Sequence, residues 1–352
     1  MNHLRKRWLA LFAVILASVA GLALTACGSD DSDSGSDDSS SSTAGEVQSS
    51  IKVGMNSPTY STQMTTYVAI AEGYFKEVGI DDVEVIQTDD YIPGLVGGSL
   101  QFTQGDTDAL LLAANEGADV KLLGNYRYKE FQMLAAGPGI ETADDLKGKK
   151  VTGGDRGSRN EAVVKQLLTG LGVSPDEVEF VPFGGGSDDR LQALLAGQIS
   201  GTNLFPRHTV PLEEGGGKFL TNKVVNVPQE SVATTGSYLD ENYDTVVAYW
   251  TAILKAREFI ADEANKDAVI KIAKDAKLEV LPEYLPVYDK EIIQISPDGG
   301  FDPADMDKLI TEEQDLELVP ADLEWRDYFD FGPLNEAQKD LGLPENPAPD
   351  AL

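Results

Sequence analysis

The 352-residue chain has one cysteine, Cys27, and two histidines, His3 and His208. A single thiol excludes an intrachain disulfide and any multi-cysteine metal or iron–sulfur centre. Two histidines exclude a His-rich metal site. A Ser-His-Asp triad would have to use His208, and no Gly-x-Ser-x-Gly elbow accompanies it. Basic residues are also scarce: 28 Lys and Arg stand against 59 Asp and Glu, for a net charge of −31. Nucleic-acid binding and adhesion to anionic lipid both need clustered Lys and Arg, so neither is expected. The sequence shows no Walker-type loop, no Gly-x-Gly-x-x-Gly fingerprint after a strand, no solenoid repeat and, after residues 8–23, no apolar run that approaches membrane-spanning length. These absences disfavour an enzyme, and no cofactor or metal is expected.

The N-terminal segment is informative by what it contains. Arg5, Lys6 and Arg7 precede the almost wholly apolar stretch from Trp8 to Ala23, and Leu24-Thr25-Ala26-Cys27-Gly28 closes it with small residues. A charged start, an apolar middle and a small-residue exit make a secretory signal, here residues 1–26. The ending resembles the bacterial lipoprotein signal, which implies that Cys27 is lipidated and becomes the mature N-terminus. An uncleaved membrane anchor is the alternative, and it leaves the position of the cysteine unexplained. Residues 27–50 are mostly Ser, Asp and Gly, with Val47 the one sizeable apolar side chain. Such a segment cannot bury enough surface to offset its ordering entropy, so it is expected to be a disordered tether. The expected location is extracytoplasmic, held to the cell membrane by lipid.

The remaining 300 or so residues alternate strand-like and helix-like runs. Ile51–Met55 reads as a strand, Thr62–Glu77 as a helix and Val83–Gln87 as a strand. Gln104–Asp108 reads as a loop and Ala109–Ala114 as a helix, with strands at Val120–Gly124 and Phe131–Ala136. A second such unit follows: strand Val151–Thr152, helix Glu161–Leu171, strand Glu179–Phe183, helix Asp188–Ala196 and strand Ile199–Leu204. The rest reads mainly as helix, with Tyr243–Ala261 and Asn265–Ala276 the clearest. Alternation of this kind predicts an α/β protein with parallel sheets flanked by helices, in two units.

Three blocks carry a family resemblance: Tyr67-Val-Ala-Ile-Ala-Glu-Gly-Tyr-Phe-Lys-Glu-Val-Gly79, Gly139-Ile-Glu-Thr-Ala-Asp-Asp-Leu-Lys-Gly-Lys-Lys-Val151 and Leu191-Gln-Ala-Leu-Leu-Ala-Gly-Gln198. In this order they resemble the NMT1/THI5-like solute-binding proteins, the extracytoplasmic receptors of ABC importers for nitrate, sulfonates, taurine and the thiamine pyrimidine precursor. The resemblance implies a two-lobe, type II periplasmic-binding-protein-like fold with two hinge crossovers. Lobe one would comprise residues 51–138 and 235–352, and lobe two residues 139–234. It implies a monomer that captures a small polar organic solute and delivers it to ABC permease subunits. Two other readings stay open: a pyrimidine-precursor-forming enzyme on the same fold, and a surface lipoprotein that binds a protein partner.

Ligands of open α/β sheets collect beyond the carboxyl ends of strands, where helix N-termini supply unpaired N–H groups. Asn56, Ser57, Thr59, Tyr60 and Ser61 form one such loop, although Ser61 also suits a plain helix cap. Gln104, Asp106 and Thr107 form a second, with Asp106 the natural partner for an amine. Arg156, Ser158 and Arg159 form a third, at the start of a helix. Ser158 or Asn160 suits an N-cap and one arginine can simply pair with nearby acids, while two arginines where the helix dipole disfavours them suggest an anionic group on the solute. Asn203 and Phe205 form the last, and Phe205 stands where the resemblance implies an acidic residue before a proline. That departure speaks against a pyrimidine precursor.

Overall fold

Strand β1 (Ser50–Met55) pairs in parallel with β2 (Asp82–Gln87) on one side and β3 (Phe102–Asp106) on the other, as its alternating buried side chains require. The computed structural model describes residues 46–55, 60–278 and 295–349; the signal, Cys27 and most of the tether lie outside the described residues. The body begins slightly before Ile51. Val47 packs against the core, the Gln48 N–H donates to Thr245 Oγ1 at 2.9 Å, and Ser50 already belongs to β1.

Helix α1 (Tyr60–Ala71) and the short α2 (Tyr74–Glu77) follow β1, α3 (Tyr91–Val96) follows β2, and α4 (Thr107–Asn115) follows β3. The expected single helix over Thr62–Glu77 is broken at Gly73, whose φ of 79° is left-handed and stops α1. Strand β4 (Lys121–Ala136) then runs for 16 residues. After it come β5 (Lys150–Thr152), α5 (Arg159–Gly170), β6 (Glu179–Phe180), α6 (Ser187–Leu195), β7 (Gly201–Asn203) and α7 (Thr209–Glu214). The 17-residue β8 (Lys218–Thr234) leads into α8 (Gly236–Glu241), α9 (Tyr243–Ala261), α10 (Lys266–Asp275), α11 (Pro303–Asp315) and α12 (Gly332–Asp340).

Among the described residues, eight strands form one mixed sheet in the order β2-β1-β3-β8-β4-β7-β5-β6. Three parallel strands lie at each end, and an antiparallel ladder of β4 and β8 joins them. The two parallel-strand units read from the sequence are the two ends of this sheet, made continuous by the β4–β8 ladder. One core surrounds the first end and draws on Ile51, Phe102, Trp250 and Ile253, together with the C-terminal helices. Two smaller cores cover the two faces of the other end. Alternation along β4 sends Leu134 and Ala136 into one and Ala135 into the other. The crossing from one set of cores to the other therefore occurs within β4, before the Gly-Pro-Gly turn at 137–139.

Two expectations need correction. The two strands expected at Val120–Gly124 and Phe131–Ala136 are one, because β8 pairs with β4 from Lys121↔Thr234 to Ala136↔Lys218. That ladder carries the polar interval at 125–130. Periodicity does not mark β8 as a strand, since it is rich in polar residues and contains Pro228; the resemblance implies a crossover strand only near Val227–Thr235, and β8 extends it back to Lys218. Proline is tolerated because it sits in a bulge, where pairing steps from Arg127↔Glu230 to Lys129↔Asn226. Non-local pairing overrides local propensity in both cases.

Candidate functional site

The carboxyl end of β3, the first turn of α5, the bulge of β8 and one face of α11 surround a cavity of about 300 Å³. Asp106, Thr107 and Asp108 line it from the β3–α4 junction, and Ser158, Arg159 and Asn160 from the start of α5. Glu130 of β4, Val227 and Gln229 of the bulge, and Leu309 and Glu313 of α11 complete the wall. The bulge takes Val227 and Gln229 out of the regular ladder, beside the cavity.

The register of the sheet sets the charges. Asp106 on β3 is directly opposite Glu230 on β8, and Glu230 is opposite Arg127 on β4. Arg127 Nη2 lies 3.2 Å from Glu230 Oε1. A second guanidinium, that of Arg159, donates to Glu313 Oε1 at 2.9 Å and to Glu130 Oε2 at 3.3 Å. Glu130, Glu230 and Glu313 are all buried. Burial, then repulsion from Glu230 and Asp108, pushes the Asp106 carboxyl up to about 7. Burial and Asp108 push Glu313 up to about 7 as well, against the pull of Arg159. Burial also raises Glu230, opposed by Arg127. Glu313 Oε2 is buried and has no hydrogen-bond partner among the described residues.

The structure brings Asp106, Thr107, Ser158 and Arg159 together around this cavity. Ser158 fills both expected roles: it lines the wall, and its Oγ accepts from the Glu161 N–H at 3.3 Å as the N-cap of α5. Thr107 Oγ1 lies 2.8 Å from Ser231 Oγ. Other candidates fall elsewhere. Gln104 is a buried strand residue, and its Nε2 donates to Thr66 Oγ1 at 3.1 Å and to the Tyr249 hydroxyl at 3.3 Å. The span expected as a loop over Gln104–Asp108 is thus the end of β3 and the first turn of α4. Arg156 is exposed on the turn before α5 and does not line the cavity. Asn203 is buried, donating from Nδ2 to Asn160 Oδ1 at 2.9 Å, so it supports the wall from behind. Phe205 lies against Arg207, whose guanidinium carbon is 4.9 Å from the ring centre, and is not among the lining residues. Asn56, Ser57 and Thr59 lie outside the described residues; Tyr60 and Ser61 open α1. His208 is buried, with Nδ1 accepting from the Phe205 N–H at 3.0 Å and Nε2 3.0 Å from Asp188 Oδ1.

Glu130, Glu230, Gln229 and Glu313 were missed. The first three sit on the two long strands that local reading broke up or passed over. Glu313 had a visible signal. The buried positions of α11 are Met306, Leu309, Ile310 and Glu313, an i, i+3, i+4, i+7 stripe in which a carboxylate occupies an apolar slot.

Residues 61–266, more than half of the chain, match the sequence profile described as NMT1/THI5 like. A curated relative, the putative binding protein YtlA of Bacillus subtilis (strain 168), is 26% identical over 216 residues, which span 57% of this chain and 63% of that protein. The fold is also that of solved binding proteins. The nitrate-binding protein NrtA of Synechocystis PCC 6803 superposes with a TM-score of 0.64 at 15% identity, covering 87% of this chain and 93% of its own. The alkanesulfonate-binding protein SsuA of Xanthomonas axonopodis pv. citri, solved with MOPS bound, gives 0.60 at 14% identity, covering 81% and 99%. With a profile match over most of the folded body and a periplasmic-binding-protein-like sheet, the chain belongs to the NMT1/THI5-like family.

Proposed function

We propose that this protein is the extracytoplasmic solute receptor of an ABC importer. On this reading it captures a small polar organic solute in the cavity between β3, α5, β8 and α11 and passes it to permease subunits without chemical change. One observation carries the proposal: a polar cavity of about 300 Å³ whose wall is drawn from both ends of the sheet, Asp106 and Glu313 on one side, Ser158 and Arg159 on the other. A solute touching both sides would favour a closed arrangement, and a permease can read that arrangement. Family membership and the solute-binding neighbours support the same role.

Export and lipid attachment at Cys27 belong to the same proposal and rest on residues 1–28. Among the described residues no helix is long and apolar enough to cross a membrane. Labelling cells with a fatty-acid analogue should tag the wild-type protein and not Cys27→Ser, which should be released from the membrane fraction; equal membrane retention would overturn the anchor. For the receptor role, thermal denaturation against a panel of small polar solutes is the direct test. A true solute at a hundred times its Kd adds about 2.7 kcal/mol, and substitution of Asp106 or Glu313 should remove that gain. A solute whose effect survives both substitutions would place binding elsewhere.

A further inference from the structure

We infer that the captured solute carries a positively charged nitrogen group, such as an ammonium, amidinium or guanidinium, held by Asp106 and Glu313. This rests on the receptor reading above and names the chemistry of the same site.

The inference comes from a count of charge around the cavity. Arg159 is the cation of the wall, and it is engaged by two carboxylates at once, Glu130 and Glu313. Arg127, behind the wall, is engaged by Glu230. Asp106 and Asp108 add two more acidic groups to the lining. Among the described residues, five carboxylates thus surround two guanidiniums; Arg159, the one that lines the cavity, is already held by two of them, and Arg127, which keeps an unpartnered buried Nε–H, does not line it. An incoming nitrate or sulfonate would have to displace Glu130 or Glu313 from Arg159, leaving a buried carboxylate unpaired.

An independent observation points the same way. Glu313 is 1% exposed and lines the cavity, yet its Oε2 has no hydrogen-bond partner among the described residues. Buried carboxylate oxygens are ordinarily satisfied, so an orphan at a cavity wall marks a place for a donor. Asp106 supplies a second acceptor in the cavity lining, placed by its register against Glu230. Two acceptors and a local surplus of negative charge suit N–H donors that carry their own positive charge. A bare metal ion is a poorer fit, since no group of three or more acidic or His/Cys side chains among the described residues is arranged to hold one. Burial and repulsion from neighbouring acids, Glu230 and Asp108 on Asp106 and Asp108 and Glu130 on Glu313, already raise both carboxyls, as expected for acids whose counter-charge arrives with the ligand.

The test is titration calorimetry of the purified protein with agmatine, putrescine and choline as cationic probes and an alkanesulfonate and nitrate as anionic ones. At least one cationic probe is expected to bind, and Asp106→Asn and Glu313→Gln should each weaken it about tenfold or more, the loss of one charge-assisted contact. Arg159→Gln separates the alternatives. It releases Glu130 and Glu313 and should tighten cation binding, whereas an anion site built on Arg159 would lose its ligand. Thermal denaturation of each variant identifies any that fails to fold, and Asp106→Asn, which leaves the buried Arg159 cluster untouched, then decides alone. Binding of the sulfonate or nitrate, abolished by Arg159→Gln, would overturn the cationic solute and leave the receptor intact. A response to divalent metal ions without one to organic cations would also overturn it. Silence toward every solute of either charge would overturn both.

Discussion

Arg159 and Glu313, 154 positions apart in the chain, meet at 2.9 Å between the first turn of α5 and the buried face of α11. The contact joins an element packed on one core to an element packed on another. Glu130 shares the same guanidinium, so removing Arg159 strands two buried carboxylates. Arg159→Ala is expected to cost about 3 kcal/mol at pH 8, and distinctly less at pH 5.5, where a raised Glu313 already carries its proton. Urea denaturation at the two pH values reads the difference. Equal losses at both would mean that packing, and not charge, holds the pair.

The two raised carboxyls also set the pH profile of the unliganded protein. A carboxyl whose folded pKa lies above its unfolded value binds more protons when folded, so it stabilises less as pH rises. For Asp106 and Glu313 that loss builds between the ordinary carboxylate range and about 7. His208 acts at the other end. Burial lowers its pKa, so folding loses support as pH falls through the ordinary histidine range. Melting temperature without solute should therefore fall from about pH 6 to about 7 and level off above that. Asp106→Asn and Glu313→Gln should each flatten that limb. An unchanged slope in both variants would remove these groups as its source.

Ser158 carries two roles that one substitution can separate. Ser158→Ala removes the cap from the Glu161 N–H and should cost about 1 kcal/mol of stability. Ser158→Asp keeps a capping oxygen and favours the helix dipole, so stability should recover. If Ser158→Asp stays as unstable as the alanine variant, the Oγ contact is not what starts α5.

Gly153 marks a close approach rather than a turn. A Cβ there would lie 2.3 Å from Glu161 Cα and 2.4 Å from its N, both backbone atoms that no side-chain rotation can move aside. Gly153→Ala should therefore displace the start of α5, at a cost of about 1–3 kcal/mol, and weaken solute binding with it. Native stability and affinity in that variant would contradict this packing.

Much of the α/β alternation was readable from periodicity and punctuation. α9 matches the expected Tyr243–Ala261, and β5 and α5 fall within a residue or two of expectation, because apolar spacing and local caps determine them. The long ladder was not readable, since Lys129 pairs with Asn226 and Glu130 with Val225 across almost a hundred residues. No local rule makes a strand of Thr221-Asn222-Lys223. The site divides the same way. Residues at strand ends and helix starts, such as Asp106 and Ser158, follow from the principle that ligands gather there. Arg159 was visible too, but its sequence context suggested a free cation. Its partners Glu130 and Glu313 come from distant elements, and they reverse what its charge means.

The acid at position 313 adds no apolar packing to its helix; what it gives the fold is the pairing with Arg159. Leucine there would complete the apolar stripe of Met306, Leu309 and Ile310, adding buried surface where a carboxylate must be desolvated. On the receptor reading, a substitution here that changes the preferred solute must also re-pair Arg159, so specificity and the α5–α11 contact are tied to one buried position.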